Sequence, residues 1–217
     1  MKSARTLAAT ALATLLLAAC ANDTPGEPEH TDGTNQEANA QEPADVDLPH
    51  SGAPAVDDPI TELESFQRDP CSIFSEEELA ETAGYPVADT KSDADGATGL
   101  RCRYSLASDD HHAGGFSAVL SEPGSEGLSH IYSLNEQGTT ELFAEAEDID
   151  GYPAVFASKR DRRDLGYCDV YVGIQDDITF TIQLSASDDR NAHHDTPCES
   201  AYELAELGME TLHGGAS

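Results

Sequence analysis

Residues 168–184 read CDVYVGIQDDITFTIQL and carry the clearest structural signal in this chain of 217 residues. Apolar and polar residues alternate on both sides of Gln175-Asp176-Asp177, which predicts two antiparallel strands joined by a tight turn. We expect one face of this hairpin to be buried and the opposite face to be exposed to solvent. The expected buried face consists of Cys168, Val170, Val172, Ile174, Ile178, Phe180, Ile182 and Leu184.

Shorter alternating stretches on the N-terminal side of the hairpin predict further strands. They cover residues 100–106, 116–120 and 154–158, the last of which follows Gly151-Tyr152-Pro153. Residues 126–146 are less regular and indicate one or two helical turns. We expect these turns around Leu128, Ile131, Tyr132, Leu142 and Phe143.

Two helices are predicted from their N-terminal residues. Ser75 and Glu78 have the spacing of a capping box, and Gly84 is a natural C-terminal end for the helix that follows. Thr196-Pro197-Cys198-Glu199 predicts the start of the last helix, whose apolar face would cover the sheet. The chain is therefore expected to form one α+β domain, with a mostly antiparallel sheet and N- and C-terminal helices packed on it.

The cysteines of this region predict two disulfides, because their number is even and an exported chain is oxidised. Three pairings are possible among Cys71, Cys102, Cys168 and Cys198. In the expected hairpin register Cys168 faces Leu184, from which a short connection returns the chain to Cys198. This favours Cys168–Cys198 and leaves Cys71–Cys102, although the other pairings stay open. A metal site is a competing interpretation, but no Cys-x-x-Cys spacing supports it.

The N-terminus has the pattern of an export signal. Lys2 and Arg5 precede residues 7–19, which carry no charge. The stretch ends with Leu17-Ala18-Ala19-Cys20, the pattern of a bacterial lipobox, in which the Cys thiol takes a diacylglycerol before cleavage. Acyl chains on this Cys would hold the protein on the lipid bilayer. An ordinary signal, cut before the Cys, is the alternative and would leave a lone thiol.

These patterns predict three segments. Residues 1–19 are expected to be a lipoprotein signal peptide, and residues 20–65 the lipidated Cys20 and a disordered acidic linker. The linker is rich in Asp, Glu, Pro and Gly and has no aromatic residue before Phe66. As a flexible coil it would reach roughly 35–40 Å. The folded domain is expected to comprise residues 66–217.

Charge excludes two classes of partner. The chain has 42 acidic and 11 basic side chains, which gives a formal net charge of −31. Nucleic-acid binding needs clustered Lys and Arg to neutralise phosphates, and docking on anionic lipid needs a polybasic segment. We therefore expect neither of these interactions.

Short motifs surround the cysteines at Asp69-Pro70-Cys71, Cys102, Gly151-Tyr152-Pro153-Ala154-Val155, Cys168-Asp169-Val170 and Pro197-Cys198. In these motifs the chain resembles actinobacterial lipoproteins of the domain of unknown function 3558 (DUF3558) family, which combine a lipobox, a low-complexity stalk and a four-Cys domain. The resemblance spans roughly residues 66–213, with Tyr104 where Trp is commoner and Thr196 where Asp is usual. The resemblance implies a location and an architecture. It implies no activity, because the family has no established one.

Two loops offer weak candidates for a metal site. His111 and His112 lie in one Asp-rich loop, and His193 and His194 lie in another. Imidazole and carboxylate together suit Zn²⁺ or Cu²⁺, and a site would form if the loops met at one end of the sheet. Solvated acidic loops are the more common explanation of such a pattern, so we assign no metal.

Basic residues cluster once, at Arg160, Arg162 and Arg163. This cluster would suit an anionic wall polymer or a protein partner. The interpretation we favour is a loop whose Arg residues are neutralised by its own Asp161 and Asp164.

No pattern for catalysis is present. The chain lacks a Gly-x-Ser-x-Gly elbow, a His-Glu-x-x-His motif and a Gly-rich phosphate loop. We therefore expect no cofactor and a non-catalytic envelope lipoprotein on the extracytoplasmic face of the cell membrane, which binds an envelope protein, a wall component or a small ligand. The alternatives are a carboxylate-based envelope hydrolase and a His/Asp metal-binding lipoprotein.

Overall fold

The computed structural model describes residues 47–82, 86–93, 99–107 and 112–214. Its strands are β1 (Val87–Asp93), β2 (Leu100–Ala107), β3 (His112–Leu120), β4 (Leu142–Glu145), β5 (Ala154–Ser158), β6 (Tyr167–Gln175) and β7 (Ile178–Ser185). They form one antiparallel sheet in the order β1-β2-β3-β7-β6-β5-β4. The expected α+β fold with a mostly antiparallel sheet is confirmed.

Helices lie on both faces of this sheet. They are α1 (Glu64–Arg68), α2 (Glu76–Thr82), α3 (Gly127–Glu136) and α4 (Pro197–Gly214), with 3₁₀ turns at Pro70–Ile73 and Arg163–Leu165. We call the face that packs against α4 the inner face and the face that packs against α3 the outer face. Side chains alternate between the faces along each strand, so the even residues of β6 point inward and Asp169 and Tyr171 point outward.

The predicted hairpin is formed by β6 and β7, and Cys168 faces Leu184 as expected. The register shifts by one residue after Gly173, so that Gln175 rather than Ile174 pairs with Ile178 at the turn. Every inward residue of the hairpin is buried, which confirms the expected buried face.

Helix α4 covers the inner face at close range. Leu204, Ala205, Met209 and Leu212 are buried against the sheet. Gly208 permits this approach, because a Cβ atom there would lie 2.5 Å from Cζ of Phe180. The apolar contact between α4 and the hairpin forms the centre of the larger core.

Two disulfides join helical segments to this sheet, and the predicted pairing is confirmed. Cys71–Cys102 links the first 3₁₀ turn to β2, with Cα atoms 4.9 Å apart. Cys168–Cys198 links β6 to the first turn of α4, with Cα atoms 5.1 Å apart.

The predicted capping box is also present. The backbone N–H of Glu78 donates to Oγ of Ser75 at 3.3 Å, and the backbone N–H of Ser75 donates to Oε2 of Glu78 at 3.2 Å. This reciprocal bonding satisfies two donors at the start of α2. Gly84, the expected end of the helix, lies outside the described residues.

The predicted boundary between linker and domain is wrong in its last part. Ala53, Ile60 and Leu63 are buried, and the backbone N–H of Ile60 donates to the carbonyl oxygen of Ile174 at 3.0 Å. Residues 47–65 therefore belong to the folded domain. The sequence hides this because isolated apolar residues among Pro and Asp have no helix or strand period, although each can fill a pocket. Cys20 and residues 1–46 lie outside the described residues.

The outer face departs from the expectation of one solvated side. Thr179 and Thr181 point outward but are buried, because α3 and the loop before it cover this end of the sheet. Strand β1 was not predicted, and Leu142 and Phe143 lie in β4 rather than in a helical turn. These edge strands are short or polar, so their own side chains give little periodic signal.

Candidate functional site

Only part of the outer face is covered by α3. Leu128, Ile131 and Tyr132 pack on Val155 and Ala157 of β5 and form a second, smaller core. The backbone N–H of Thr179 donates to Oγ of Ser121 at 2.9 Å beside this helix. The outer sides of β1, β2, β3 and the adjoining ends of β7 and β6 carry mainly polar side chains, and we call this area the open face.

A row of five polar residues crosses the open face. The registers place Lys91 beside Arg103, Arg103 beside Ser117, Ser117 beside Gln183, and Gln183 beside Asp169. Each residue comes from a different strand, so the row spans about 19 Å at the usual spacing of strands. Its residues are far apart in the sequence, and the sheet order brings them together.

The open face contains a groove that runs along the strands. Arg103 lines the groove on the β2 side, which we call the β2 wall, and Gly115, Ser117 and Ser185 form a low floor. The hollow over β2, β3 and β7 has a volume of about 210 Å³. Gly115 is required here, because a Cβ atom would lie 2.3 Å from the carbonyl oxygen of Tyr104 on the neighbouring strand.

Tyr167 of β6 is the cross-strand neighbour of Ser185 on the groove floor, and Arg162 lies beside its ring; we call this pair the β6 wall. The guanidinium carbon of Arg162 lies 4.3 Å from the centre of the Tyr167 ring, within the range of a cation–π contact. Hydrogen bonds from Ser185 and Ser187 lower the pKa of the Tyr167 hydroxyl, and the positive charge of Arg162 acts in the same direction. The wall therefore presents a cation held over an aromatic ring.

The surroundings of Asp169 on the open face change the pKa of its carboxyl group. Burial raises its pKa to about 6, and the nearby charge of Arg162 opposes that rise. Burial also raises the pKa of Tyr171, its neighbour on the same face, to about 12, with a further contribution from the Asp169 charge. Asp169 is thus ionised at neutral pH and becomes a hydrogen-bond donor under mildly acidic conditions.

The two carboxyl groups whose pKa is raised in the described part of the chain lie on opposite sides of the sheet. Glu206 is the other carboxyl group with a raised pKa there, and burial is the main cause. It lies exposed on α4, on the inner side of the sheet, whereas Asp169 lies on the outer side. Paired-carboxylate chemistry needs both groups beside one substrate, so Asp169 and Glu206 do not form such a pair.

Two of the four predicted metal candidates have local hydrogen-bonding partners. Nδ1 of His193 lies 2.7 Å from Oγ of Ser200, and Nδ1 of His194 lies 2.8 Å from the carbonyl oxygen of Ala186. His112 begins β3, and His111 lies outside the described residues. Across residues 47–82, 86–93, 99–107 and 112–214, no three His, Cys, Asp or Glu side chains are placed to hold a metal ion.

A different group of histidines surrounds Glu126. Nε2 of His50 lies 3.9 Å from Oε2 of Glu126, and Nδ1 of His130 lies 3.8 Å from the same oxygen. The i, i+4 spacing of Glu126 and His130 is visible in the sequence, but His50 is distant along the chain and had been assigned to the linker. These contacts join residues 47–56 to α3.

The predicted basic cluster is divided between two environments. Arg163 makes a bidentate pair with Asp161, with N–O distances of 2.9 and 2.7 Å, as expected for a loop neutralised by its own Asp. Arg162 instead lies over Tyr167 on the open face. The predicted neutralisation by a neighbouring Asp is therefore found for Arg163. The contact of Arg162 with the Tyr167 ring was not predicted.

A larger hollow, of about 640 Å³, lies beside the Cys168–Cys198 disulfide. Its lining carboxylates are exposed, and Arg163 of the same lining is already paired with Asp161. A further hollow of about 410 Å³ lies between α3 and β5–β6 and is lined by Ile131, Ala157 and Tyr171. The first has no unpaired cation in its lining, and the second, which also carries Lys159, is more apolar than the groove.

A family model described as "Protein of unknown function (DUF3558)" matches residues 15–211. The match extends further toward the N-terminus than the expected span and includes the segment that packs before α1. No curated protein and no solved structure matches the chain. Within the described ranges, no helix has both the length and the apolar character that crossing a bilayer requires.

Proposed function

This chain belongs to the DUF3558 family of proteins of unknown function, and from that premise we propose that it is a lipid-anchored envelope lipoprotein whose domain is a non-catalytic binding module. The observation that carries the binding role is the open face of the sheet. The inner face is filled by α4 and the core, whereas the outer face keeps a polar groove between two walls of long side chains. A groove formed by several rigid strands holds its side chains in fixed positions, as recognition requires.

The proposed anchor is Cys20. The positive start, the uncharged residues 7–19 and the Leu17-Ala18-Ala19-Cys20 pattern together support lipidation of its thiol. Disulfides persist in oxidising compartments, so the pairs Cys71–Cys102 and Cys168–Cys198 support export of the domain.

The folded segment begins close to the outer side of the sheet. The backbone N–H of His50 donates to Oγ of Ser129 on α3 at 2.9 Å, and Ala53 packs in the smaller core beneath that helix. Residues 21–46 remain as the proposed tether, and a coil of this length reaches about 30 Å. The tether is shorter than the sequence boundary implied, and it would keep the domain near the lipid surface.

Membrane fractionation of cells that express the full chain tests the anchor. We expect the unaltered protein in the membrane fraction at its processed length, and the Cys20→Ser variant as a longer precursor that keeps residues 1–19, because cleavage follows thioether formation and the serine cannot form the thioether. Ala21→Ser, which changes the adjacent residue and keeps the thiol, is the matched control and should remain with the membrane. Equal gel mobility of the Cys20→Ser variant and the unaltered protein would contradict the proposal.

A further inference from the structure

The charges of the groove differ from those of the chain as a whole. The net charge is −31, yet Arg101 and Arg103 on β2 and Arg162 on the opposite wall are all cationic. Arg163 and Arg190, elsewhere in the domain, are each neutralised by an Asp at 2.7 and 2.6 Å. Arg101 and Arg103 form no ion pair within the described ranges, even though Asp93 is the cross-strand neighbour of Arg101.

Acidic groups also border the groove and must be counted. Asp89 and Asp93 flank Lys91 on the edge strand, and Asp169 lies near Arg162 on the β6 wall. These carboxylates offset the positive charge at the two ends of the polar row. The two guanidinium groups of the β2 wall remain available to a ligand. Planar guanidinium groups bind carboxylate and phosphate oxygens through paired N–H donors.

Hydroxyl and amide groups form the floor between the cations. Ser105, Ser117, Gln183, Ser185 and Ser187 line the hollow. Each of these side chains can both donate and accept hydrogen bonds, which suits a ligand rich in hydroxyl groups. The walls on β2 and β6 are three strand spacings apart, about 14 Å between backbones, which leaves room for an extended chain.

The floor favours a carbohydrate over a peptide. Peptide groups of β3 and β7 are already bonded to each other in the sheet, so a bound peptide could not extend a backbone ladder there. A sugar polymer needs no such ladder, because its hydroxyls bond to side chains directly. Repeated anionic groups on that polymer would meet Arg101 and Arg103, which lie two residues apart on one wall.

We infer that this groove binds a carbohydrate polymer that carries regularly spaced anionic groups, with its charges on Arg101, Arg103 and Arg162 and its hydroxyls on the Ser and Gln floor. The inference rests on the proposed binding role of the open face and names its ligand class. It is independent of the anchor, because none of these residues lies near Cys20 in the sequence.

Isothermal titration calorimetry with polygalacturonate fragments tests this assignment. The protein is the chain from residue 20 onward with Cys20→Ser, which removes the lipid and leaves every described residue unchanged. We expect binding that weakens as salt is added, because exposed charges are screened. Uncharged dextran fragments of the same length should not bind measurably.

Variants that remove either a positive or a negative charge from the groove distinguish binding there from general charge effects. Arg103→Gln should weaken binding about threefold and Arg101→Gln/Arg103→Gln about tenfold, whereas Asp169→Asn should tighten it about twofold by removing a negative charge from the wall. Arg68→Gln, which removes a cation from α1 on the inner side of the sheet, is the matched control and should leave affinity unchanged.

Three results would overturn the inference. They are no heat with polygalacturonate at millimolar concentration, equal weakening by Arg68→Gln and Arg103→Gln, and equally tight binding of poly-glutamate with the same dependence on Arg103. The last result would show that charge alone is recognised. Each can occur while Cys20 is acylated, so failure of this inference is distinguishable from failure of the anchor.

Discussion

The hydroxyl of Tyr104 donates a hydrogen bond to the carbonyl oxygen of Cys71 at 3.1 Å, two residues from Cys102, the disulfide partner of Cys71. The first 3₁₀ turn and β2 are therefore joined twice, once covalently and once by a partly buried hydrogen bond. The Tyr104 ring also stacks on Phe116 at 4.7 Å and meets the edge of Phe74 at 5.5 Å. Burial raises the pKa of this hydroxyl well above its usual range, so it remains a donor.

Tyr104→Phe should lower the free energy of unfolding by about 1 kcal/mol, because it leaves the Cys71 carbonyl without its donor and keeps the ring packing. Urea denaturation followed by circular dichroism measures the change. Tyr202→Phe is the control, since the Tyr202 hydroxyl meets the Asp148 carbonyl at 3.5 Å in an exposed position. Equal stability losses in the two variants would contradict the role given to Tyr104.

Gly208→Ala should destabilise the domain by about 1–3 kcal/mol, although Ala usually stabilises a helix relative to Gly. The added Cβ would lie 2.5 Å from Cζ of Phe180 and 3.1 Å from Cζ of Phe74, so α4 would have to move away from the sheet. Gly214→Ala at the end of the same helix meets no atom within 4 Å and serves as the control. A rise in melting temperature for Gly208→Ala would show that the close approach is absent.

Leu63→Ala should cost about 2–4 kcal/mol of stability, because Leu63 is only 4% exposed and packs in the larger core. This variant tests whether residues before position 66 belong to the fold. Leu165→Ala is the matched control, since Leu165 is 53% exposed, and it should change stability by less than about 0.5 kcal/mol. Chemical denaturation of both variants gives the comparison, and a negligible effect of Leu63→Ala would restore the boundary at residue 66.

Asp169→Asn should make stability less dependent on pH. Burial raises the pKa of Asp169 from 3.8 to about 6 on folding, so the folded chain binds its proton more tightly than the unfolded chain does. The stability contributed by this proton is fully present below pH 3.8 and is lost as the pH rises through 6. Asn avoids burying a charge, so the variant should be more stable at pH 7.5 by about 1–2 kcal/mol, and the gain should vanish near pH 3.5.

Denaturation at several pH values checks this prediction. Asp164→Asn, which changes an exposed carboxyl group in the turn before β6, is the matched control and should change stability at pH 7.5 by less than about 0.5 kcal/mol. A gain for Asp169→Asn that is the same at pH 3.5 and pH 7.5 would mean that titration of the carboxyl group does not explain it.

Local signals predicted the centre of this fold. The hairpin of β6 and β7, the Ser75–Glu78 capping box and the start of α4 at Pro197 depend on residues near one another in the sequence. The disulfide pairing followed from a hairpin register in which Cys168 faces Leu184. The register shift close to the turn leaves that pair unchanged. These elements are found because each is stabilised by its own neighbours.

Features that depend on distant residues were missed. Ile60 has no periodic neighbours, and its burial requires the turn end of β6 to be in place. In the groove β3 pairs directly with β7, although β4, β5 and β6 lie between them in the sequence. No local sequence pattern therefore brings Ser117 next to Gln183. Arg162 was grouped with Arg163 by adjacency, although the two side chains have different partners.

Mass spectrometry of the protein purified from its native membrane determines whether Cys20 is lipidated and which cysteines are paired. We expect a chain that starts at Cys20 with a diacylglycerol thioether and contains both disulfides, Cys71–Cys102 and Cys168–Cys198. A chain that retains residues 1–19, an unmodified Cys20, or free thiols among the other four cysteines would contradict a lipid-anchored domain displayed outside the cytoplasmic membrane.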